Sequence, residues 1–135
     1  MIQTDRKTAL ILAVDDDLDT LNIIRLKLEA HQLKVVTARD GDEALRMTRE
    51  QNPDLIILDI MMPKLSGFKV ARLIKFDSKT RQTPLIVLTA RTQESDRALG
   101  FEVGANSYIT KPFDPEHLLK EVQQLLGTSE QGSFR

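Results

Sequence analysis

Three acids, Asp15, Asp16 and Asp17, follow directly on the apolar run Ala9 to Val14, and a fourth, Asp59, follows on Leu55 to Leu58. Short apolar runs of this kind read as strands buried on both faces, and an open α/β sheet binds its ligands beyond the carboxyl ends of such strands. The acids therefore stand where binding takes place. A third run, Leu85 to Leu88, leads into Thr89-Ala90, and a fourth segment, Ser107 to Thr110, leads into Lys111-Pro112, which adds a hydroxyl and a cation. Carboxylates crowded into one crevice do not all stay ionised without compensation, so the Lys111 ammonium and a divalent metal are the natural counter-charges. Oxygen donors with no His or Cys among them favour magnesium or calcium over zinc. Few protein carboxylates, completed by water and phosphate oxygens, favour Mg2+.

Positioning these groups requires strands separated by helices, and the sequence supplies both. Leu18, Leu21, Ile24 and Leu28 recur at helical spacing, with Asp17 as a cap at the start, and Lys34 to Ala38 forms the next strand. Asp40-Gly41 turns into a helix through Ala44, Leu45 and Met47 that closes at Asn52-Pro53. Ser66 is placed to cap a helix carrying Phe68, Val70, Ala71, Leu73 and Ile74, and a further helix runs from about Glu94 to Val103 with Gly104 as its stop. The last runs from Pro115 to Leu126, with proline in its first turn and Gly127 after its end. Strand and helix alternate throughout, which predicts an α/β fold, a doubly wound five-stranded parallel sheet with helices on both faces. Right-handed crossovers narrow the topology, and we predict strand order 2-1-3-4-5, with Asp15, Asp16 and Asp59 converging at the switch point.

The 135 residues suit one domain, with 19 Lys and Arg against 20 Asp and Glu for a net charge of −1. That balance gives no basic field for direct nucleic-acid or membrane-surface binding. The absence of cysteine removes disulfide, thiolate-metal and thiol chemistry. No apolar run approaches a membrane span, and residues 1–7 lack the core of a signal peptide, so the expectation is a soluble cytoplasmic protein. Residues 8–127 form the expected domain, residues 1–7 a flexible N-terminus, and residues 128–135 a polar tail or the stump of a linker. His31 and His117 lie in unrelated elements and have neither a metal spacing nor a catalytic partner.

An acid pair, a lone aspartate, a Thr-Ala and a Lys-Pro, each after its own strand and in this order, resemble the receiver domain of two-component response regulators, of the flavodoxin-like fold seen in chemotaxis regulators. The set carries the likeness, since none of its members would alone. The resemblance implies that Asp59 accepts a phosphoryl group; otherwise it is a strand-ending acid. It implies that Asp15 and Asp16 hold Mg2+ with Asp59 and the backbone carbonyl of Met61. Adjacent acids leaving a strand diverge, so one, for which we choose Asp16, meets the metal directly and the other through water or a hydrogen bond. Asp17 and Asp19 read better as charges favoured at a helix N-terminus.

By the same resemblance, Lys111 pairs with Asp59 and then with a phosphate oxygen, and the Lys111-Pro112 bond is cis. Thr89 offers its hydroxyl to the phosphate, and Ala90 keeps the space beside it open. Tyr108, otherwise a packing residue, is coupled to Thr89 as a switch that alters the fourth helix, fifth strand and fifth helix, where effectors dock. A sensor histidine kinase or phosphotransfer protein is the implied donor, and dimerisation on phosphorylation through the last two helices is compatible with the likeness. Met61 and Arg91 occupy positions that influence the attacking water in relatives. Methionine can neither orient nor activate water, so slow dephosphorylation is expected. The protein is thus expected to be a switch that modifies only itself, not a turnover enzyme. A pseudo-receiver that binds without phosphorylation and an aspartyl-phosphate phosphatase of the haloacid dehalogenase kind are the alternatives. The missing cap insertion weighs against the second, and the acidic first loop weighs against a flavin carrier.

Overall fold

The computed structural model describes residues 8–62, 65–90 and 94–127. Five strands, β1 (Leu10–Val14), β2 (Lys34–Ala38), β3 (Leu55–Leu58), β4 (Leu85–Thr89) and β5 (Ser107–Thr110), form one parallel sheet in the order β2-β1-β3-β4-β5. Between and after them run α1 (Leu18–Glu29), α2 (Gly41–Gln51), α3 (Gly67–Phe76), α4 (Glu94–Glu102) and α5 (Pro115–Leu126). The predicted class and strand order are those observed.

Strand side chains alternate between two layers, as the two-residue period of extended chain requires. Leu12, Val14, Ile56, Leu58, Leu85, Val87 and Tyr108 face α2, α3 and α4, where Ala44, Val70 and Ile74 meet them. Ile11, Ala13, Leu55, Ile57, Ile86, Leu88 and Ile109 face α1 and α5, against Leu21, Ile24, Leu28, Leu118, Leu119 and Val122. Because both faces of β3 and β4 are covered, those strands are apolar at consecutive positions instead of alternating.

Helix ends follow local chemistry. The side chains of Asp17, Asp40, Ser66 and Asp114 each accept a backbone N–H of the first turn they precede. Asn52 and Gly127 end α2 and α5 in the left-handed conformation. Two expected helix-face residues turn outward. Leu18 is 52% exposed at the first position of α1, and Leu73 is 40% exposed on the outer side of α3, where Phe76 also projects. Among the described residues no helix is long and apolar enough to cross a membrane. The expected terminal segments, residues 1–7 and 128–135, lie outside the described residues.

Candidate functional site

Backbone pairing continues one residue past β1 and β3 and thereby fixes two acids. Asp15 N–H donates to the Ala38 carbonyl (3.1 Å) and Asp59 N–H to the Val14 carbonyl (3.0 Å). Both side chains are buried, Asp15 at 1% and Asp59 at 4% exposure, which is rare for acids without compensation. The Asp15 carboxylate accepts the Asp17 N–H at 2.9 Å, and the Asp59 carboxylate accepts the Met61 N–H at 2.8 Å. Each acid is thus oriented by the turn that leaves its own strand.

Lys111 reaches the same crevice from the end of β5. Its N–H is tied to the Thr89 carbonyl (2.9 Å), and the peptide bond to Pro112 is cis. Its ammonium donates to Asp15 at 2.6 Å and to Asp59 at 3.0 Å. Sequence reasoning made Lys111 a counter-charge to the crowded acids and paired it with Asp59, but did not single out the shorter bond to Asp15. Burial pushes the Asp15 carboxyl above the usual aspartate range, opposed by the bonds from Lys111 and the Asp17 N–H. Burial also works against the Lys111 charge, but the two carboxylates outweigh it and hold the ammonium above its ordinary value.

Asp16 is exposed, and its carbonyl accepts from the Arg39 guanidinium at 3.2 Å, a partner that sequence reasoning did not single out. Asp15, Asp16 and Asp59 each bring a carboxylate oxygen within 4.8 Å of the others. Three carboxylates face one ammonium, and the donors are hard oxygens, so the set fits a divalent cation of the magnesium type. Asp17 stays out of the cluster. It caps α1, and the Thr20 hydroxyl and the Asp19 N–H hold its carboxyl below the usual range.

Thr89 is fully buried at the end of β4, followed by the exposed Ala90. Tyr108 pairs in register with Val87, and strand alternation sets Thr89 on the same face of the sheet as the Tyr108 ring. The ring is 7% exposed. The Met61 side chain is half exposed at the rim of the crevice, while Arg91 lies outside the described residues. Gly67 also shapes the site. A Cβ there would come within 2.2 Å of the Ile60 Cα and 2.7 Å of the Asp59 carbonyl, so only glycine lets α3 start against the turn carrying Asp59. Its place directly after the Ser66 cap was the available signal.

A family model for the response regulator receiver domain matches residues 11–123. The alkaline phosphatase synthesis transcriptional regulatory protein PhoP of Bacillus subtilis (strain 168) is 40% identical over 120 residues, which is 89% of this chain and 49% of that protein. The chain thus spans about half the length of the curated transcriptional regulators it resembles. Among solved structures, the chemotaxis response regulator CheY4 of Vibrio cholerae superposes with a TM-score of 0.83 at 35% identity, covering 88% of this chain and 99% of that one. The receiver domain of a sensor histidine kinase from Pseudomonas aeruginosa PAO1 superposes with a TM-score of 0.82 at 30% identity, over 90% of this chain and 99% of that one. That structure holds a magnesium ion in its active-site cleft.

Proposed function

Since this chain belongs to the response regulator receiver domain family and so serves two-component phosphorelay signalling, we propose that it switches by accepting a phosphoryl group on Asp59. The observation that carries this reading is the sharing of one partly buried ammonium by Asp15 and Asp59 at the mouth of the parallel sheet. In the transfer, an Asp59 carboxylate oxygen forms a bond to phosphorus as the bond from phosphorus to the donor nitrogen breaks. The Met61 N–H holds the other Asp59 oxygen, which leaves one oxygen to attack. Lys111 follows the charge from the carboxylate onto a phosphoryl oxygen, and the Thr89 hydroxyl donates to another. Asp16, Asp59 and the Met61 carbonyl, with Asp15 beside them, would hold Mg2+, which would supply charge neutralisation on the phosphoryl oxygens. Ala90 leaves room for the group.

The donor is a sensor histidine kinase or a phosphotransfer protein in the cytoplasm, and an acyl phosphate of low molecular weight can substitute for it. Thr89 and Tyr108 carry the change to α4, β5 and α5, where an effector docks. With Met61 at the rim in place of a polar residue, the phosphoryl group persists longer than in chemotaxis regulators. Intact-mass spectrometry after incubation with acetyl phosphate, with and without magnesium, tests the reading. A magnesium-dependent gain of one phosphoryl group in the wild type and none in Asp59→Asn is expected. No gain in any sample, together with none from a histidine kinase, would favour a phosphorylation-independent binding module. A half-life of seconds after donor removal would count against the slow dephosphorylation.

A further inference from the structure

Tyr108 is the only tyrosine of a chain that has no tryptophan. Its buried ring rests on α4, and residues of one face of that helix hold it in distinct ways. The Arg97 guanidinium carbon lies 5.0 Å from the ring centroid, within cation–π range. One turn further on, Gly100 is buried under the ring edge. A Cβ at Gly100 would come within 3.0 Å of Cδ2 and 3.1 Å of Cε2, so the ring fills the space that a side chain would need. Phe101 closes another side, its ring centroid 6.3 Å away and tilted by 41°. Glycine is the poorest helix former after proline, and its position inside α4 is accounted for by this close approach.

We propose that Arg97 and Gly100 form the seat of the Tyr108 ring, with Arg97 a positioning residue that sets how far the ring stays buried and thereby how readily the Thr89–Tyr108 pair switches. The coupling to switching rests on the function proposed above, whereas the seat itself does not. A cation over the ring face is lost when the ring swings outward, so Arg97 favours the buried position. The missing side chain at Gly100 gives that position its room. Each acts through the ring.

Because Tyr108 is the sole fluorophore of its kind in the chain, its emission reports on the seat directly. Acrylamide quenching is measured on the wild type, Arg97→Gln, Arg97→Lys and Gly100→Ala. The quenching constant rises about threefold in Gly100→Ala and about twofold in Arg97→Gln, and Arg97→Lys, which keeps the cation, stays near the wild type. Unchanged quenching in both Arg97→Gln and Gly100→Ala would overturn the seat. Should Gly100→Ala fail to fold, the two Arg97 variants decide.

The second readout is the rate of magnesium-dependent phosphorylation by acetyl phosphate. Arg97→Gln slows it about two- to fivefold in the wild-type background and leaves it unchanged in a Tyr108→Ala background, since the effect passes through the ring. Equal slowing in both backgrounds would refute Arg97 as a positioning residue for Tyr108. If quenching moves while phosphorylation stays constant, the seat stands and the switch role of Tyr108 falls.

Discussion

The ammonium of Lys111 lies closer to Asp15, at 2.6 Å, than to Asp59, at 3.0 Å. The cation expected to serve the phosphoacceptor is thus bonded more closely to an acid expected to serve the metal. Lys111 and a divalent ion therefore compete for the same carboxylate. Replacing Lys111 by alanine leaves two buried acids without their shared donor, and the metal-free protein loses about 1–3 kcal/mol of stability. Magnesium restores much of that loss. Urea unfolding with and without magnesium measures both effects, and the magnesium concentration at half-saturation falls several-fold because the competitor is gone. An equal or weaker magnesium affinity in Lys111→Ala would contradict the competition.

Asp15→Asn has the opposite effect on stability. Burial raises the Asp15 carboxyl above its unfolded range, so its ionised form weakens the fold at neutral pH, and the amide relieves that penalty. The variant gains about 0.5–1.5 kcal/mol, in the way that active-site charges commonly trade stability for function. It also loses the magnesium-dependent rise in melting temperature expected of the wild type. A variant less stable than the wild type without magnesium would show that the bonds from Lys111 and Asp17 outweigh the burial.

The element order, the caps at Asp17 and Ser66, and the convergence of Asp15, Asp16 and Asp59 were all legible in the sequence, because each follows from local spacing or from the end of an apolar strand. Contacts between elements were not. Glu116 stands at helical spacing from Lys120, yet its close ion pair is with Lys27 of α1 at 2.7 Å, and Lys120 only adds a lesser favourable charge. Arg97 carries no spacing signal for Tyr108, since the two meet only when α4 packs against β5. Leu73 fits the apolar stripe of α3 by number but stands on its outer flank, which the linear pattern cannot separate from the inner one.

Gly67→Ala tests the contact between α3 and the phosphoacceptor turn. The added methyl would meet backbone atoms of Ile60 and Asp59, which cannot rotate away as a side chain would. A loss of about 2–4 kcal/mol in urea unfolding is expected. Weakened magnesium binding accompanies it, because the Asp59 carbonyl and the start of α3 must move apart. Wild-type stability in the variant would show that α3 shifts freely.

The Lys27–Glu116 bridge between α1 and α5 gives a pH dependence of defined sign. The Lys27 ammonium holds the Glu116 carboxyl below its ordinary value of 4.5. The bridge therefore contributes fully above that value, and its contribution is lost as pH falls from there through the lower folded pKa. Lys27→Met flattens the fall in stability between pH values of about 5 and about 3. The difference shrinks in about 0.5 M salt, because both side chains reach solvent. Parallel acid profiles for the two proteins would assign the bridge no role.

The alternation along β5 gives the two sides of this molecule unequal access to events at Tyr108. Its ring enters the compartment of α2, α3 and α4, whereas its neighbour Ile109 enters that of α1 and α5. The sheet acts as a bulkhead. A displaced ring presses at once on α4, but it reaches α1 and α5 only by moving strands that are hydrogen-bonded to their neighbours along the sheet. The α4 flank therefore receives the change directly, whereas α5 receives it only by way of β5.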